Sequence, residues 1–284
     1  MFPAFTIFGK TIGTYAICAV VGLVVCGFVL SAIGKKKGIS WMDILLAIVG
    51  IGIGLTIGGH LLYGITQYNL VFEAFQMIGR DSFVNVFLAF ANAFGGSVFY
   101  GGFLGGLAGL AIVLKIEKNL NKKDFFDLYG LGIPLFHTFG RIGCFFGGCC
   151  YGVESSFGFI VEHNEYSAGL EGVRRFPLQL LEALLNLILF FVLLAIYRHF
   201  NKQSENKNAG RILFLYMVTY PVYRFILEFF RGDEIRGHWF GLSTSQWISI
   251  FLFIAGIIGN VILSVRSGKA SSGTPSHEFR QTAR

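Results

Sequence analysis

Residues Thr11–Ile33 read TIGTYAICAVVGLVVCGFVLSAI, and one glycine later come Lys35, Lys36 and Lys37. A run of this length without a charged side chain is enough for an α-helix to cross about 30 Å of hydrocarbon. It is also longer than the apolar region of a secretion signal, and no clear small-residue cleavage site follows it, so it reads as an uncleaved anchor. Six further stretches repeat the pattern: Trp41–Thr66, Val98–Leu114, Phe125–Phe146, Leu178–Tyr197, Arg211–Phe230 and Ser245–Val265. The fourth of the seven is the weakest, interrupted by Pro134 and a series of glycines. Composition agrees. Hydrophobic residues make up 54% of the 284-residue chain and charged ones 14%, against about 25% charged in soluble domains. A soluble enzyme, a disordered chain, a collagen and a disulfide-rich secreted scaffold are all excluded.

Basic residues orient the spans. Lys35–Lys37, Lys115, Lys118, Lys122, Lys123, Arg198, Lys202, Lys207, Arg211, Arg266, Lys269, Arg280 and Arg284 all fall on one side, 15 of the 23 Lys and Arg residues. The positive-inside rule makes that side cytoplasmic. The expectation is an all-α integral membrane protein with seven transmembrane helices, amino terminus outside and carboxyl terminus in the cytoplasm. The formal charge of +7 is mostly this topology signal, aided by anionic lipid, and calls for no nucleic acid. Of the outer connections, Gln67–Ser97 is amphipathic and suited to the interface, and 147–177 is long enough for a small extracytoplasmic cap. Residues 1–266 read as one membrane domain and 267–284 as a disordered cytoplasmic tail.

Ionisable residues within the spans are functional candidates by default, because each costs several kcal/mol to place there. Arg141 lies among glycines in His137–Gly152. Arg224, Glu228 and Arg231 stand at i, i+4 and i+7, on one face of an expected helix. Gln179, Glu182 and Asn186 share a face in the fifth span, and His60 is near the end of the second. Each has a structural alternative. Arg224 and Glu228 could be a neutralising ion pair, Gln179 and Glu182 could tie helices together, Arg231 could snorkel to water, and His60 could be a packing residue. Arginines converging in the outer half of a bilayer suit a phosphate, because a guanidinium holds phosphate oxygens in a bidentate fork and keeps its charge when desolvated. The abundant phosphate at that depth is a phospholipid head group. Cys144, Cys149 and Cys150 form C-x4-C-C without the second pair usual for zinc. They read first as small residues lining a tight turn, with a metal site or a redox pair as alternatives.

The stretch Gly140-Arg-Ile-Gly-Cys-Phe-Phe-Gly-Gly-Cys-Cys-Tyr-Gly152 resembles the GRIGNFxNGExxG signature of the prolipoprotein diacylglyceryl transferases. Arg175–Glu182 resembles that family's RHPxQLYE, Tyr223–Asp233 its YRFxxExxRxPD, Ser243–Ser249 with Gln246 its SxGQxLS, and Phe99–Gly102 its FHGG; Tyr15 stands where the family has a tyrosine. The resemblance runs through the chain in order. It implies a bacterial cytoplasmic (inner) membrane enzyme that moves the diacylglyceryl group of phosphatidylglycerol onto the lipobox cysteine of a preprolipoprotein signal peptide. A thioether forms and glycerol 1-phosphate leaves, with no cofactor. The resemblance implies roles in catalysis for Arg141, Arg224, Glu228 and Tyr100, and in substrate binding for Tyr15, His137, Gly143, Cys144, Gly152, Gln179, Glu182 and Arg231. The departures cluster on the proton-transfer and acceptor side: Tyr100 replaces the FHGG histidine, Cys144 the GRIGN asparagine, Cys149 the NGE acid, Phe176 the RHP histidine and Leu181 the QLYE tyrosine. They leave open a paralogue with another acceptor, or a non-catalytic lipid-binding membrane protein.

Overall fold

The computed structural model describes residues 4–7, 10–118, 120–160, 171–202, 209–233 and 238–272. Each of the seven apolar stretches is helical over most of its length. In chain order the helices are α1 (Thr14–Gly34), α2 (Trp41–Thr66), α3 (Tyr68–Gln76), α4 (Phe83–Ala93), α5 (Phe99–Ile116), α6 (Lys122–Gly147), α7 (Leu178–Asn201), α8 (Arg211–Leu227) and α9 (Thr244–Ser272). Strands β1 (Ala4–Ile7) and β2 (Lys10–Gly13), β3 (Glu154–Ile160) and β4 (Arg174–Arg175), and β5 (His238–Trp239) and β6 (Leu242–Ser243) pair as three antiparallel ribbons. Among the described residues, five helical segments are long and apolar enough to cross a membrane: Thr14–Lys37, Trp41–Thr66, Leu178–Asn201, Arg211–Phe230 and Thr244–Arg266. The protein is therefore a multi-pass, mostly helical membrane protein.

The chain divides into two compact units, residues 27–122 and residues 1–26 with 123–284. In the first, α2 and α5 pack through facing glycines. A methyl group on Gly54 would strike the Gly105 carbonyl, one on Gly58 the Gly101 carbonyl, and one on Gly109 the Gly50 carbonyl. Gly50, Gly54 and Gly58 recur every four residues, as do Gly101, Gly105 and Gly109. Two flat stripes therefore let the backbones meet, the usual solution where lipid supplies no hydrophobic drive. Ser40 and Asp43 form a reciprocal capping box at the start of α2, at 3.1 and 3.0 Å. The amphipathic connection forms α3 and α4, held by an edge-to-face contact of Phe75 and Phe90 at 5.1 Å. Beyond them, the His60 Nδ1–H points at the Phe94 and Gly96 carbonyl oxygens, 2.8 and 2.7 Å away. His60 thus pins the turn after α4, the packing role.

In the second unit α6, α7 and α8 carry the core. The apolar windows of α7 and α8 are 44% buried against 17% in α1 and α9, so the last two mostly face outward. Pro134 does not interrupt α6, contrary to the sequence expectation: the helix is continuous from Lys122 to Gly147. Thr138 Oγ1 donates to the Pro134 carbonyl at 3.0 Å and Cys26 Sγ approaches the Gly132 carbonyl at 3.7 Å, supplying polar partners around the proline. Bare Gly130 also lets α6 meet the α8 backbone at Ile212 and Leu213. At the start of α8, the Asp127 carboxylate accepts from the Gly210 and Ile212 amides at 2.8 and 2.9 Å, capping that helix from α6. In the stretch read as a disordered tail, α9 continues to Ser272; residues 273–284 lie outside the described residues. The cap expected at 147–177 contains β3 and β4, with 161–170 outside the described residues.

Candidate active site

Two helix ends and one helix start converge in the second unit. The last turns of α6 bring Arg141 and Cys144, the first turns of α7 bring Gln179, Glu182 and Asn186, and the end of α8 brings Arg224. Glu182 is the centre. Its Oε1 lies 3.0 Å from Arg141 Nη2 and 3.8 Å from Arg224 Nε, so two guanidiniums share one carboxylate oxygen. Arg224 Nη2 also meets Glu228 Oε2 at 2.6 Å. Two positive and two negative groups therefore neutralise one another in a buried cluster, the arrangement a low-dielectric site requires. Glu182 is 1% exposed and Arg224 3%.

The cluster is held from behind. Asn186 Nδ2 donates to the Glu182 carbonyl at 2.8 Å, and the Tyr223 hydroxyl donates to Asn186 Oδ1 at 3.0 Å. Tyr216 stacks on Tyr220, which packs against His137 at 5.2 Å and edge-on against Tyr223 at 5.3 Å. Arg224 Nη2 reaches Ser245 Oγ at 3.4 Å. Ser243 caps α9 in a box with Gln246, at 3.2 and 2.9 Å, and its hydroxyl donates to Glu228 Oε1 at 2.8 Å. Sequence reasoning missed Ser243 and Ser245 as part of the site, although Ser243-x-x-Gln246 before an apolar run is a legible capping signal.

The one-face expectation for Arg224, Glu228 and Arg231 holds only for the first two. The α-helix ends at Leu227, Glu228–Phe230 form a 3-10 turn, and Arg231 is extended (φ −83°, ψ 140°). Its backbone bridges Gly152, and its side chain forks onto Asp233 at 2.7 and 2.5 Å. Gly152 is squeezed there, since a Cβ would meet the Phe176 carbonyl at 2.5 Å. In this cluster and beside it, the buried donors Arg141 Nε, Arg224 Nη1 and Arg231 Nη1 have no hydrogen-bond partner among the described residues.

Gly143 brings α1 onto α6. A Cβ there would sit 3.1 Å from Tyr15 Cδ2 and from Cys18 Cβ, and Tyr15 itself stays half exposed. Gln179 Nε2 donates to the Cys149 carbonyl at 2.9 Å, tying the cysteine turn to α7. In that turn the Sγ atoms of Cys144, Cys149 and Cys150 all lie within 4.8 Å of one another. Hydrogen bonds from Cys144 and Cys149 hold the Cys150 thiol well below its ordinary range against burial, with Arg141 and Arg231 assisting. The bond with Cys144 favours the Cys149 thiolate, but Cys150 and burial outweigh it and push that thiol up to about 11. Tyr100 lies in the first turn of α5, in the other unit.

The arrangement can bind and stabilise an anion: two guanidiniums fixed side by side, their counter-ions already placed, with spare N–H donors. Comparison with known proteins agrees with the motifs that supply these residues. The prolipoprotein diacylglyceryl transferase family matches residues 3–262. A phosphatidylglycerol–prolipoprotein diacylglyceryl transferase 2 of Clostridium perfringens is 34% identical over 254 residues, covering 89% of this chain and 91% of that relative. The corresponding transferases of Clostridium tetani and Prochlorococcus marinus are 33% and 30% identical, covering 89% and 90% of this chain and 94% and 90% of theirs. A match of this extent, with Arg141 and Arg224 gathered on Glu182, settles kinship: the chain belongs to the prolipoprotein diacylglyceryl transferase family.

Proposed function

We propose that this chain transfers the diacylglyceryl group of phosphatidylglycerol to the lipobox cysteine thiol of a preprolipoprotein, in the bacterial cytoplasmic membrane. The acceptor sulfur, as thiolate, attacks the glyceryl carbon bearing the phosphodiester oxygen. A thioether forms, the carbon–oxygen bond breaks, and its electron pair leaves on glycerol 1-phosphate. The thiol proton is lost before attack, and the leaving phosphate gains one negative charge. The observation that carries this reading is the Arg141–Glu182–Arg224 cluster. Donors already oriented toward developing charge need no reorganisation in the transition state. Glu182 and Glu228 keep the arginines in place, and Arg141 Nε and Arg224 Nη1 are left as donors for the phosphate.

The same reading takes α5 and α6 as the third and fourth of seven spans, amino terminus outside. The alternation of Lys- and Arg-rich connections supports it. Polar α6 then crosses because Asp127 and Arg141 have partners within the protein rather than lipid. Residues 1–266 form the transferase domain and 147–177 its outer cap, and the resemblance of Phe99–Gly102 to the family's FHGG gives Tyr100 a catalytic role.

The test uses purified protein in phosphatidylglycerol nanodiscs with a lipobox peptide. Release of glycerol phosphate together with a diacylglyceryl mass increment on the peptide, both absent in Arg224→Ala, is the expected result. Lipid binding without consumption would overturn the reading in favour of a non-catalytic binder.

A further inference from the structure

The three thiols at the end of α6 form a site of their own. Cys144 is buried, Cys150 half-buried and Cys149 exposed, so the cluster is rooted in the protein and open on one side. Tetrahedral zinc with sulfur ligands at about 2.3 Å sets neighbouring sulfurs roughly 3.8 Å apart. The observed spread, within 4.8 Å, needs only a small contraction to close on one ion. The turn is built to hold this triangle. Gly148 (φ 72°) and Cys150 (φ 59°) both adopt the left-handed conformation, the second against its own Cβ. The Cys149 amide donates to the Cys144 carbonyl at 3.1 Å and Gln179 clamps the Cys149 carbonyl from α7. Arg141, one turn before Cys144 on α6, stands as a cation beside a site where three thiolates around a dication retain one negative charge.

We propose that Cys144, Cys149 and Cys150 bind one thiophilic divalent cation of the zinc type, and that its fourth coordination position takes the acceptor thiol as a thiolate. The second half rests on the transferase reading. Three protein ligands and an open position are the pattern of catalytic rather than structural zinc. A thiol that coordinates such an ion is deprotonated outright, its proton passing to water. The bound sulfur then attacks the glyceryl carbon, the carbon–oxygen bond breaks toward the phosphate held by the arginines, and the thioether product, a poor zinc ligand, departs. No oxidant or reductant is involved.

The experiment loads reduced, full-length protein in nanodiscs with Co²⁺ in place of zinc and follows its absorption. Expected are one cobalt per chain with thiolate-to-metal charge-transfer bands, loss of these in Cys144→Ser, and a further thiolate band when a lipobox peptide is added but not its Cys→Ser analogue. Cys149→Ala, whose side chain is exposed, serves if Cys144→Ser fails to fold. Equal cobalt spectra in wild type and Cys149→Ala, or a disulfide among these cysteines under the same reducing conditions, would overturn the metal site. Full glycerol phosphate release after chelator treatment would overturn the acceptor role and leave the transferase reading standing. A cobalt spectrum that responds to the peptide thiol without lipid consumption would support the site and count against the transferase reading alone.

Discussion

Arg141 and Glu182 meet at 3.0 Å across the α6–α7 contact, and the same carboxylate oxygen lies 3.8 Å from Arg224 on α8. One acid thus decides the spacing of two guanidiniums that arrive from different helices.

Glu182→Gln removes that acid's charge and leaves Arg141 facing a neutral amide. Breaking a buried pair from one side costs about 3–5 kcal/mol, so the thermal midpoint in detergent falls clearly and transfer is lost with it. Glu228→Gln costs less, because Glu182 still serves Arg224 and an amide oxygen still accepts from Ser243. Equal melting points for wild type and Glu182→Gln would contradict this assignment.

Arg141→Lys and Arg224→Lys keep the charge and lose the planar fork. Removing one preorganised donor from such a site costs about a hundredfold to a thousandfold in kcat. Steady-state glycerol phosphate release should show the loss in kcat more than in KM; a change confined to KM would mean that these arginines only bind lipid.

Asp127→Ala uncaps α8 without touching the ionic cluster. Two buried amides, Gly210 and Ile212, lose their acceptor, at about 1–3 kcal/mol each. Asp127→Asn keeps one acceptor oxygen and should fall between. Thermal unfolding of the purified variants gives the order, and an unchanged Asp127→Ala would show that the cap is dispensable.

Gly54→Leu and Gly105→Leu each force apart backbones now in contact. The expected destabilisation is of order 1–3 kcal/mol for overpacking, and Gly52→Leu, where nothing lies near, is the neutral control. Protease accessibility of the α2–α5 unit reports the effect. Parity of Gly54→Leu with Gly52→Leu would refute the glycine seam.

Length and polarity make the apolar helices legible in the sequence, because crossing hydrocarbon demands a long uncharged helix and tolerates few alternatives. Arg141, Arg224, Glu182 and Glu228 were legible for the same reason: charge in a span is costly and therefore conspicuous. Pro134 misled, because a proline within an apolar run reads as a break, whereas α6 runs through it from Lys122 to Gly147. Arg231 misled as well. Its i+7 spacing implied the Arg224 face, but the helix gives way to a 3-10 turn and the backbone at Arg231 pairs with Gly152.

Local sequence thus determined the helices, the charges within them and, through ordered motifs, the family. The sharing of Glu182, the capping of α8 by Asp127, the capping box that reaches Glu228, and the gathering of three sulfurs were decided only in three dimensions. Each joins groups from separate segments or turns on the path of a tight turn, and such contacts follow from packing rather than from spacing along one helix.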